Sequence, residues 1–270
     1  MSDDIVTFTQ KTASLPAGTV RYHVAGTGRP VIYLHAAGGV RLSQPLHALA
    51  RQFTIYVPVF PGFDGTAPLP GIATIGDLAA LVAQFADRVI AQKCDLIGHS
   101  FGGHVAVWCA VLQPEKFDQL VLQCAAGFRP PGPPPQGDPM SLLFAHPERL
   151  RPEDKEALGH AAANREVAQR YRGGIAMDEA LLARLGEINA LTLILQGTQD
   201  RMIGPDSARL LKSRIARSHL IYVYDAGHVI EIDQPQRFLS VVGDFLGRGE
   251  GFLVNWGHGV SGVFVARGPE

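Results

Sequence analysis

A sharp junction between an apolar run and a helix, centred on Ser100, is the feature that most constrains how this 270-residue chain can fold. The run Cys94–Ile97 has the pattern of a short buried strand, and Val105–Ala110 continues beyond the junction as a helix. Between them stands the sequence Gly98-His99-Ser100-Phe101-Gly102, followed by Gly103. A strand that turns at once into a helix must hold one residue in a strained conformation, and glycines on both sides allow strand and helix to approach closely. The pattern predicts a turn with the Ser100 hydroxyl raised at its apex.

Short apolar runs alternate with helix-prone segments along most of the chain. The predicted strands are Thr19–Ala25, Pro30–His35, Thr54–Phe60, Cys94–Ile97, Gln119–Cys124, Leu191–Leu195 and Leu220–Tyr224. The predicted helices cover 43–51, a segment beginning at Thr74 with Asp77 three residues later, a segment from Phe101, Pro205–Ile215 and Pro235–Leu246. Strands that alternate with helices pair in parallel, so the expected fold class is α/β with a doubly wound, mostly parallel sheet.

The regular alternation is interrupted between residues 128 and 190. The run Pro130–Pro135 contains five prolines and one glycine, which suit neither a helix nor a central strand, and a charged, helix-prone stretch follows. We expect a core made of residues 1–127 and 191–248, with 128–190 inserted as a small helical lid; a long disordered loop is the alternative. Residues 249–270 form a C-terminal extension with two short β-like segments, Phe252–Trp256 and Gly262–Ala266. Three interpretations of this extension stay open: an added hairpin, a homodimer contact or a loosely held tail.

The composition of the chain limits the kinds of binding partner that we expect. A formal net charge of −1 gives no electrostatic reason to expect nucleic acid or an anionic membrane surface. No secretory signal and no bilayer-spanning apolar stretch stand out in the sequence. The three cysteines, Cys94, Cys109 and Cys124, lie in apolar segments and do not have the spacing of metal ligands. We expect them to be reduced thiols, which is typical of a cytoplasmic protein. We therefore expect a small-molecule substrate, no cofactor and no metal, and the oligomeric state stays open.

Two polar residues follow later strands at the same end of the predicted sheet as Ser100. Asp200 comes directly after the strand Leu191–Leu195, and His228 comes directly after Leu220–Tyr224. The carboxyl ends of parallel strands converge on one crevice. A serine hydroxyl becomes nucleophilic when a base lies within hydrogen-bond reach and a carboxylate orients that base. The spacing therefore predicts a Ser100–His228–Asp200 triad.

With these residues in place, the chain resembles the α/β-hydrolase fold superfamily over roughly residues 4–248. The resemblance rests on Gly98–Gly102, on Gly197 followed by Asp200, and on Gly227-His228 followed by Glu231 and Pro235. The order serine, acid, histidine also matches. The resemblance implies that Ser100 is the nucleophile, that His228 acts first as base and then as acid, and that Asp200 fixes the imidazole.

The resemblance also implies an oxyanion hole made by the backbone N–H groups of Ala37 and Phe101. The chain departs from the superfamily pattern at Ala36, where a glycine is usual after His35, and at Asp64, where a glycine is also common. His35 is expected to brace this loop and to line the substrate pocket, whereas the position of His99 predicts a side chain turned away from the apex. Further pocket residues are expected from the lid, namely Phe128, Phe144 and Tyr171. Basic residues in the lid are interleaved with acidic ones, so the sequence makes no prediction of an anionic substrate.

The function expected from the sequence is cofactor-free hydrolysis of a carboxylic ester or a related acyl bond, such as a lactone or thioester. Relatives with the same triad hydrolyse carbon–carbon bonds or carry out perhydrolysis, and other relatives only bind a small ligand; these alternatives stay open. Epoxide hydrolases and haloalkane dehalogenases are set aside because they carry an aspartate where Ser100 stands.

Overall fold

The computed structural model describes residues 6–253 and 263–265, and within them one sheet of nine strands organises the molecule. The strands are β1 (Thr9–Leu15), β2 (Gly18–Ala25), β3 (Arg29–Leu34), β4 (Phe53–Pro58), β5 (Cys94–His99), β6 (Phe117–Gln123), β7 (Leu191–Gly197), β8 (Ser218–Val223) and β9 (Val263–Val265). Their order across the sheet is β1-β2-β4-β3-β5-β6-β7-β8-β9. All pairs from β4 through β8 are parallel, and the pairs at the two edges are antiparallel. The expected mostly parallel α/β sheet is confirmed.

Helices connect these strands and cover both faces of the sheet. They are α1 (Gln44–Leu49), α2 (Ile75–Phe85), α3 (Phe101–Leu112), α4 (Pro139–Leu143), α5 (Pro152–Leu158), α6 (Ala161–Arg172), α7 (Glu179–Leu182), α8 (Pro205–Arg214), α9 (Ile230–Asp233) and α10 (Pro235–Arg248). Helix α2 begins as predicted: the Thr74 hydroxyl accepts from the Asp77 N–H, and the Asp77 carboxylate accepts from the Thr74 N–H. This reciprocal cap satisfies N–H groups that the first turn of a helix leaves unpaired.

Successive residues of one strand bury their side chains in different layers. In β3, Ile32 and Leu34 pack into the layer that contains α2 and α3. Val31 and Tyr33 pack on the opposite face, in the layer that contains α1 and α10. Because neighbouring side chains of a strand point to opposite faces, a strand covered on both sides must be apolar throughout. This is why the central strands read as continuous apolar runs.

The edge strand β1 was not predicted. The first four of its residues are exposed, and only Leu15 at its end is buried. A strand held by one antiparallel partner and facing water on both sides carries no apolar period for sequence analysis to detect. Its pairing with β2 runs in register from Thr9 opposite Val24 to Leu15 opposite Gly18.

Residues 128–190, called the insert below, lie between β6 and β7 and contain α4 to α7. In the C-terminal extension, β9 falls within the second predicted β segment and pairs antiparallel with β8. Phe252 and Leu253 of the first predicted segment end a 3-10 turn, and its remaining residues lie outside the described part of the chain. None of the helices in the described residues is long and apolar enough to cross a membrane.

Candidate active site

Ser100 occupies the strained turn between β5 and α3. Its backbone has φ 53° and ψ −110°, a left-handed conformation that a non-glycine residue rarely adopts. A Cβ atom added at Gly98 would lie 2.6 Å from the carbonyl oxygen of Gly102, and one at Gly102 would lie 2.1 Å from that of Leu34. Both distances are far inside van der Waals contact, so this turn requires glycine two residues before and two residues after Ser100. Ser100 is 9% exposed and lines a cavity at the carboxyl ends of the strands.

Asp200 and His228 meet beside this turn, although 28 residues separate them in sequence. His228 Nδ1 donates a hydrogen bond of 2.9 Å to Asp200 Oδ2, and the two side chains are 4% and 0% exposed. The second carboxylate oxygen of Asp200 accepts from the backbone N–H groups of Met202 (2.8 Å) and Ile203 (2.9 Å). Because Nδ1 is occupied, Nε2 is the ring nitrogen of His228 that is available to Ser100, and both residues line the same cavity.

The surroundings of Asp200 favour its charged form. Burial alone would raise the pKa of this carboxyl group, but the nearby His228 and the hydrogen bonds from His228 and Ile203 outweigh burial and lower the pKa below its usual value. A carboxylate that stays ionised holds the imidazole in the tautomer with a proton on Nδ1 and stabilises the imidazolium that forms when His228 accepts a second proton.

Two backbone N–H groups are free beside Ser100. Those of Ala37 and Phe101 donate to no acceptor among the described residues. Ala37 itself lines the cavity, while Phe101 begins α3 directly after Ser100, where the first N–H groups of a helix have no partner within the helix. An oxyanion hole requires backbone N–H groups that are not used elsewhere.

The loop that carries Ala37 is braced from two directions. His35 Nδ1 donates to the carbonyl oxygen of Ala36 (2.9 Å), and His35 Nε2 accepts from the N–H of Phe60 (3.1 Å). Burial lowers the pKa of His35, so this imidazole is neutral and serves as a fixed bracket.

The second brace comes from the insert and explains the departure at Asp64. Asn164 on α6 donates from Nδ2 to Asp64 Oδ1 (2.7 Å) and to the Gly38 carbonyl oxygen (2.9 Å), and its Oδ1 accepts from the Asp64 N–H (2.8 Å). Asp64 Oδ2 accepts in turn from the Val40 N–H (2.9 Å). We call this set of hydrogen bonds the Asn164–Asp64 clasp. A Cβ at Gly39 would lie 2.2 Å from Asn164 Nδ2, so the clasp also requires glycine there.

The cavity beside Ser100 has a volume of about 310 Å³, near the lower end of the range for small-molecule sites. The core and the insert both contribute to its wall, and most of its lining is apolar. It is lined by Tyr33, Ala36, Ala37, Gly38, Gly39, Arg41, His99, Ser100, Pro139, Leu142, Leu143, Leu158, Ala161, Arg165, Met202, His228, Val229 and Glu231.

The four residues predicted to line the pocket lie elsewhere in the structure. His35, Phe128, Phe144 and Tyr171 are all buried, and none of them borders this cavity. Tyr171 donates its hydroxyl proton to the Pro61 carbonyl oxygen (3.0 Å), and Phe128 and Phe144 fill the packing beneath the insert. The aromatic residues of the insert attach it to the core, and smaller aliphatic residues face the cavity instead.

The prediction for His99 was wrong. Its side chain does not turn away from the site but lines the same cavity as Ser100, with its ring centroid 5.2 Å from that of His228. His99 Nε2 donates to the backbone carbonyl oxygen of His228 (3.0 Å), and Nδ1 lies 3.6 Å from Glu231 Oε1. Because the positive φ of Ser100 interrupts the strand, the alternation of side chains cannot be extended through this turn.

Glu231 is a buried carboxylate whose position by the cavity was not predicted. It accepts from the Tyr33 hydroxyl (3.2 Å) and from Gln123 Nε2. Burial lowers the pKa of His99 to about 4, although the charge of Glu231 acts in the opposite direction. His99 is therefore neutral at pH 7.

Among the described residues, one group of side chains has ligand atoms close enough together to hold a metal ion. Cys124, Asp200 and His228 place their ligand atoms within 4.8 Å of one another. The Asp200–His228 hydrogen bond uses two of these atoms. An ion at this position would replace that hydrogen bond, so metal binding and the triad exclude each other.

Comparison with known proteins places this chain in a family. The sequence profile of the Alpha/beta hydrolase family matches residues 31–241. The chain is 29% identical over 269 residues to the 2-hydroxymuconate semialdehyde hydrolase of Pseudomonas sp. (strain CF600), with 86% of this chain and 92% of the relative covered. It is 26% identical over 249 residues to the pimeloyl-(acyl-carrier protein) methyl ester esterase of Aeromonas salmonicida (strain A449), with 82% and 97% covered.

A solved structure agrees in fold. The 2-hydroxy-6-oxo-6-phenylhexa-2,4-dienoate hydrolase of Rhodococcus sp. strain RHA1 superposes with a TM-score of 0.76 at 20% identity, covering 90% of this chain and 99% of that one. The protein has the α/β-hydrolase fold and is a hydrolase. The chain belongs to the Alpha/beta hydrolase family.

Proposed function

We propose that the protein hydrolyses a carboxylic ester or a related acyl bond of a small molecule, with Ser100 as nucleophile, His228 as general base and acid, and Asp200 as the orienting carboxylate. The observation that carries the proposal is the 2.9 Å hydrogen bond between buried Asp200 and His228, at a cavity that Ser100 also lines in a strained turn. The N–H groups of Ala37 and Phe101, which have no acceptor among the described residues, support the same reaction, since a developing oxyanion needs donors.

The reaction proceeds in two halves. The Ser100 hydroxyl attacks the substrate carbonyl carbon while His228 Nε2 takes its proton; the C–O bond then breaks, and the leaving alcohol takes that proton from His228. Water attacks the resulting acyl-serine, passing its proton through His228 back to Ser100, and the carboxylic acid leaves. Each half passes through a tetrahedral oxyanion, which the two backbone N–H groups stabilise.

The insert is the natural lid of this reaction. Pro139, Leu142, Leu143 and Leu158 cover the cavity from the insert side with aliphatic surface. We infer that they exclude water and limit the size of the substrate that reaches Ser100.

The direct test is a screen of 4-nitrophenyl esters, lactones and thioesters of increasing acyl length, with Ser100→Ala as the blank. We expect measurable turnover in the wild type and a loss of several orders of magnitude in Ser100→Ala and His228→Ala. Asp200→Asn should lower kcat by about 10⁴ while the protein stays folded, because an amide stabilises the wrong tautomer of His228. Wild-type turnover that Ser100→Ala retains would overturn the proposal.

A second candidate is hydrolysis of a carbon–carbon bond next to a ketone, favoured by the relative named 2-hydroxymuconate semialdehyde hydrolase at 29% identity. In this reaction a carbon leaving group takes the proton that an alkoxide takes in ester hydrolysis. Offering the enzyme 2-hydroxy-6-oxo-dienoates beside the esters separates the two. A kcat/KM for the dienoate far above that for every ester would favour the second candidate.

A further inference from the structure

Arg41 brings to the wall of the active-site cavity a positive charge that forms no ion pair among the described residues. Its Nε atom is buried and hydrogen-bonds to nothing among the described residues. Its guanidinium carbon lies 5.7 Å from the centre of the Phe144 ring. A buried donor without a partner costs free energy, which a ligand or an ordered water that accepts from it would recover.

Other arginines of the molecule form ion pairs with nearby carboxylates. Arg151 pairs with Glu153 (2.9 Å) and Asp154 (3.0 Å), and Arg184 pairs with Glu187 (2.8 Å). Within the described residues Arg41 forms no such ion pair, nor does Arg165, the exposed α6 arginine that borders the same cavity.

The carboxylate in the cavity wall does not supply the missing partner. Glu231 is satisfied by the Tyr33 hydroxyl and Gln123 Nε2 and lies next to His99 Nδ1, and it forms no ion pair with Arg41. A second surface depression also borders Arg41, and the carboxylates in its lining are Asp64, Glu153, Asp154 and Glu156. Two of these acids are paired with Arg151.

The backbone at Arg41 is held in place. The N–H of the preceding residue, Val40, donates to Asp64 within the Asn164–Asp64 clasp. The guanidinium group of an arginine presents a planar set of donors that matches a carboxylate, and a charge-assisted hydrogen bond is stronger where water is excluded.

We propose that Arg41, with Arg165 at the rim, forms a carboxylate-binding subsite, so that the substrates of this enzyme carry a carboxylate in addition to the carbonyl group attacked by Ser100. This rests on the proposed function. It applies to ester and carbon–carbon substrates alike, because the subsite recognises a part of the molecule that does not react.

A matched pair of esters tests the subsite. 4-Nitrophenyl hydrogen glutarate and 4-nitrophenyl pentanoate differ only in a terminal carboxylate in place of a methyl group. We expect the wild type to prefer the glutarate ester in kcat/KM. Arg41→Gln should lower kcat/KM for that ester about tenfold to a hundredfold more than it lowers kcat/KM for the pentanoate ester.

Two further variants control for packing and for net charge. Arg41→Lys keeps the positive charge and should retain part of the preference, whereas a packing defect against Phe144 would lower both esters together. Arg209→Gln removes a surface arginine that pairs with Asp206 and should leave the preference unchanged. Equal losses on both esters in Arg41→Gln, or a wild type that does not distinguish them, would overturn the subsite.

Binding separates this proposal from the proposed function. Glutarate binding to the Ser100→Ala protein, measured by calorimetry, requires no turnover. We expect glutarate to bind more tightly than pentanoate and Arg41→Gln to abolish the difference. If no ester is hydrolysed but this binding difference holds, the proposed function fails and the subsite stands. If glutarate binding does not depend on Arg41, the subsite fails whatever the hydrolysis shows.

Discussion

At the scale of single residues, the candidate site depends on glycines as much as on the triad. Gly98 and Gly102 allow β5 and α3 to meet closely enough to hold Ser100 at φ 53°. The strain in Ser100 persists because the surrounding sheet and helix over-determine its position.

Replacing Gly102 by alanine tests this requirement. The new Cβ would lie 2.1 Å from a backbone oxygen of β3, which cannot move away as a flexible side chain could. We expect Gly102→Ala to lower the free energy of unfolding by about 3 kcal/mol, measured by urea denaturation, and to abolish turnover in the fraction that folds.

Gly186→Ala is the matched control, because a Cβ at Gly186 meets nothing within 4 Å. It should change the free energy of unfolding by less than about 0.5 kcal/mol. Equal stability of the two variants would show that the close approach at Gly102 is not needed.

Some residues of the candidate site could be predicted from the sequence, and others could not. Asp200 and His228 could be predicted because each follows a recognisable strand at the same end of the sheet, and the structure places them 2.9 Å apart. The positions of His99 and Glu231 depend on the turn that Ser100 makes and on the path of α9, neither of which has a periodic signal. That Arg41 forms no ion pair within the described part of the chain could not be predicted either, since it depends on which carboxylates the fold brings near.

At the scale of elements, strand β5 carries buried titratable groups near both of its ends. Burial raises the pKa of Asp95 to about 7 from 3.8, although the nearby Arg29 acts in the opposite direction. Burial lowers the pKa of His99 to about 4 from 6.5. Folded Asp95 thus holds its proton at a pH where the unfolded chain has lost it, while folded His99 lacks a proton that the unfolded chain binds.

The two groups make opposite contributions to stability as pH changes. The contribution of Asp95 is lost as pH rises from about 4 to about 7, and that of His99 is lost as pH falls from 6.5 to about 4. We therefore expect Asp95→Asn to gain stability relative to the wild type as pH rises through this window, and His99→Gln to gain stability relative to the wild type as pH falls. Urea denaturation of the three proteins at pH values from 4.5 to 8 measures both slopes.

Asparagine and glutamine are suited to this comparison. The amide introduced by Asp95→Asn would keep an oxygen to accept the Gln119 N–H, and the amide introduced by His99→Gln would keep a donor for the His228 carbonyl oxygen. Stability differences that do not vary with pH would contradict the assignment for the residue concerned.

Elements differ in how well the sequence predicts them. The central strands were found because burial on both faces makes them continuously apolar. The boundary of α2 was found because Thr74 and Asp77 form a local capping pair. Strand β1 was missed because its exposed residues show no pattern.

At the scale of the whole molecule, the insert and the core meet through polar contacts that sequence analysis did not identify. The sequence shows Asp64 only as a departure from the glycine that is common at this position, and its hydrogen-bond partner Asn164 is 100 residues away. Asn164 is buried and makes hydrogen bonds to both Asp64 and Gly38. The loop with the Ala37 N–H is thereby attached to α6.

Asn164→Ala should weaken both stability and catalysis. It leaves the Asp64 N–H and the Gly38 carbonyl oxygen without their partner, which we expect to cost about 1–3 kcal/mol in the free energy of unfolding. Loss of the brace should also lower kcat per folded enzyme about tenfold to a hundredfold, because a small displacement of an oxyanion donor has a large effect on rate. Thermal denaturation and active-site titration with a fluorophosphonate separate the two effects.

Glu166→Ala, at an exposed position on the same helix, is the control and should leave both quantities nearly unchanged. If Asn164→Ala lowers stability but each folded molecule turns over at the wild-type rate, the clasp holds the insert without supporting the oxyanion loop.

The Asn164–Asp64 clasp also limits how such enzymes can diversify. Grafting onto this core an insert that lacks this asparagine would exchange the aliphatic residues above Ser100, and it would also remove the amide that spans Asp64 and Gly38. A chimera designed only to accept a bulkier acyl group would therefore lose turnover unless an asparagine were restored at the matching point of its new helix. We therefore expect changes in substrate selectivity and in rate to be coupled in this protein, because the insert carries both the aliphatic residues of the cavity wall and the Asn164 side chain.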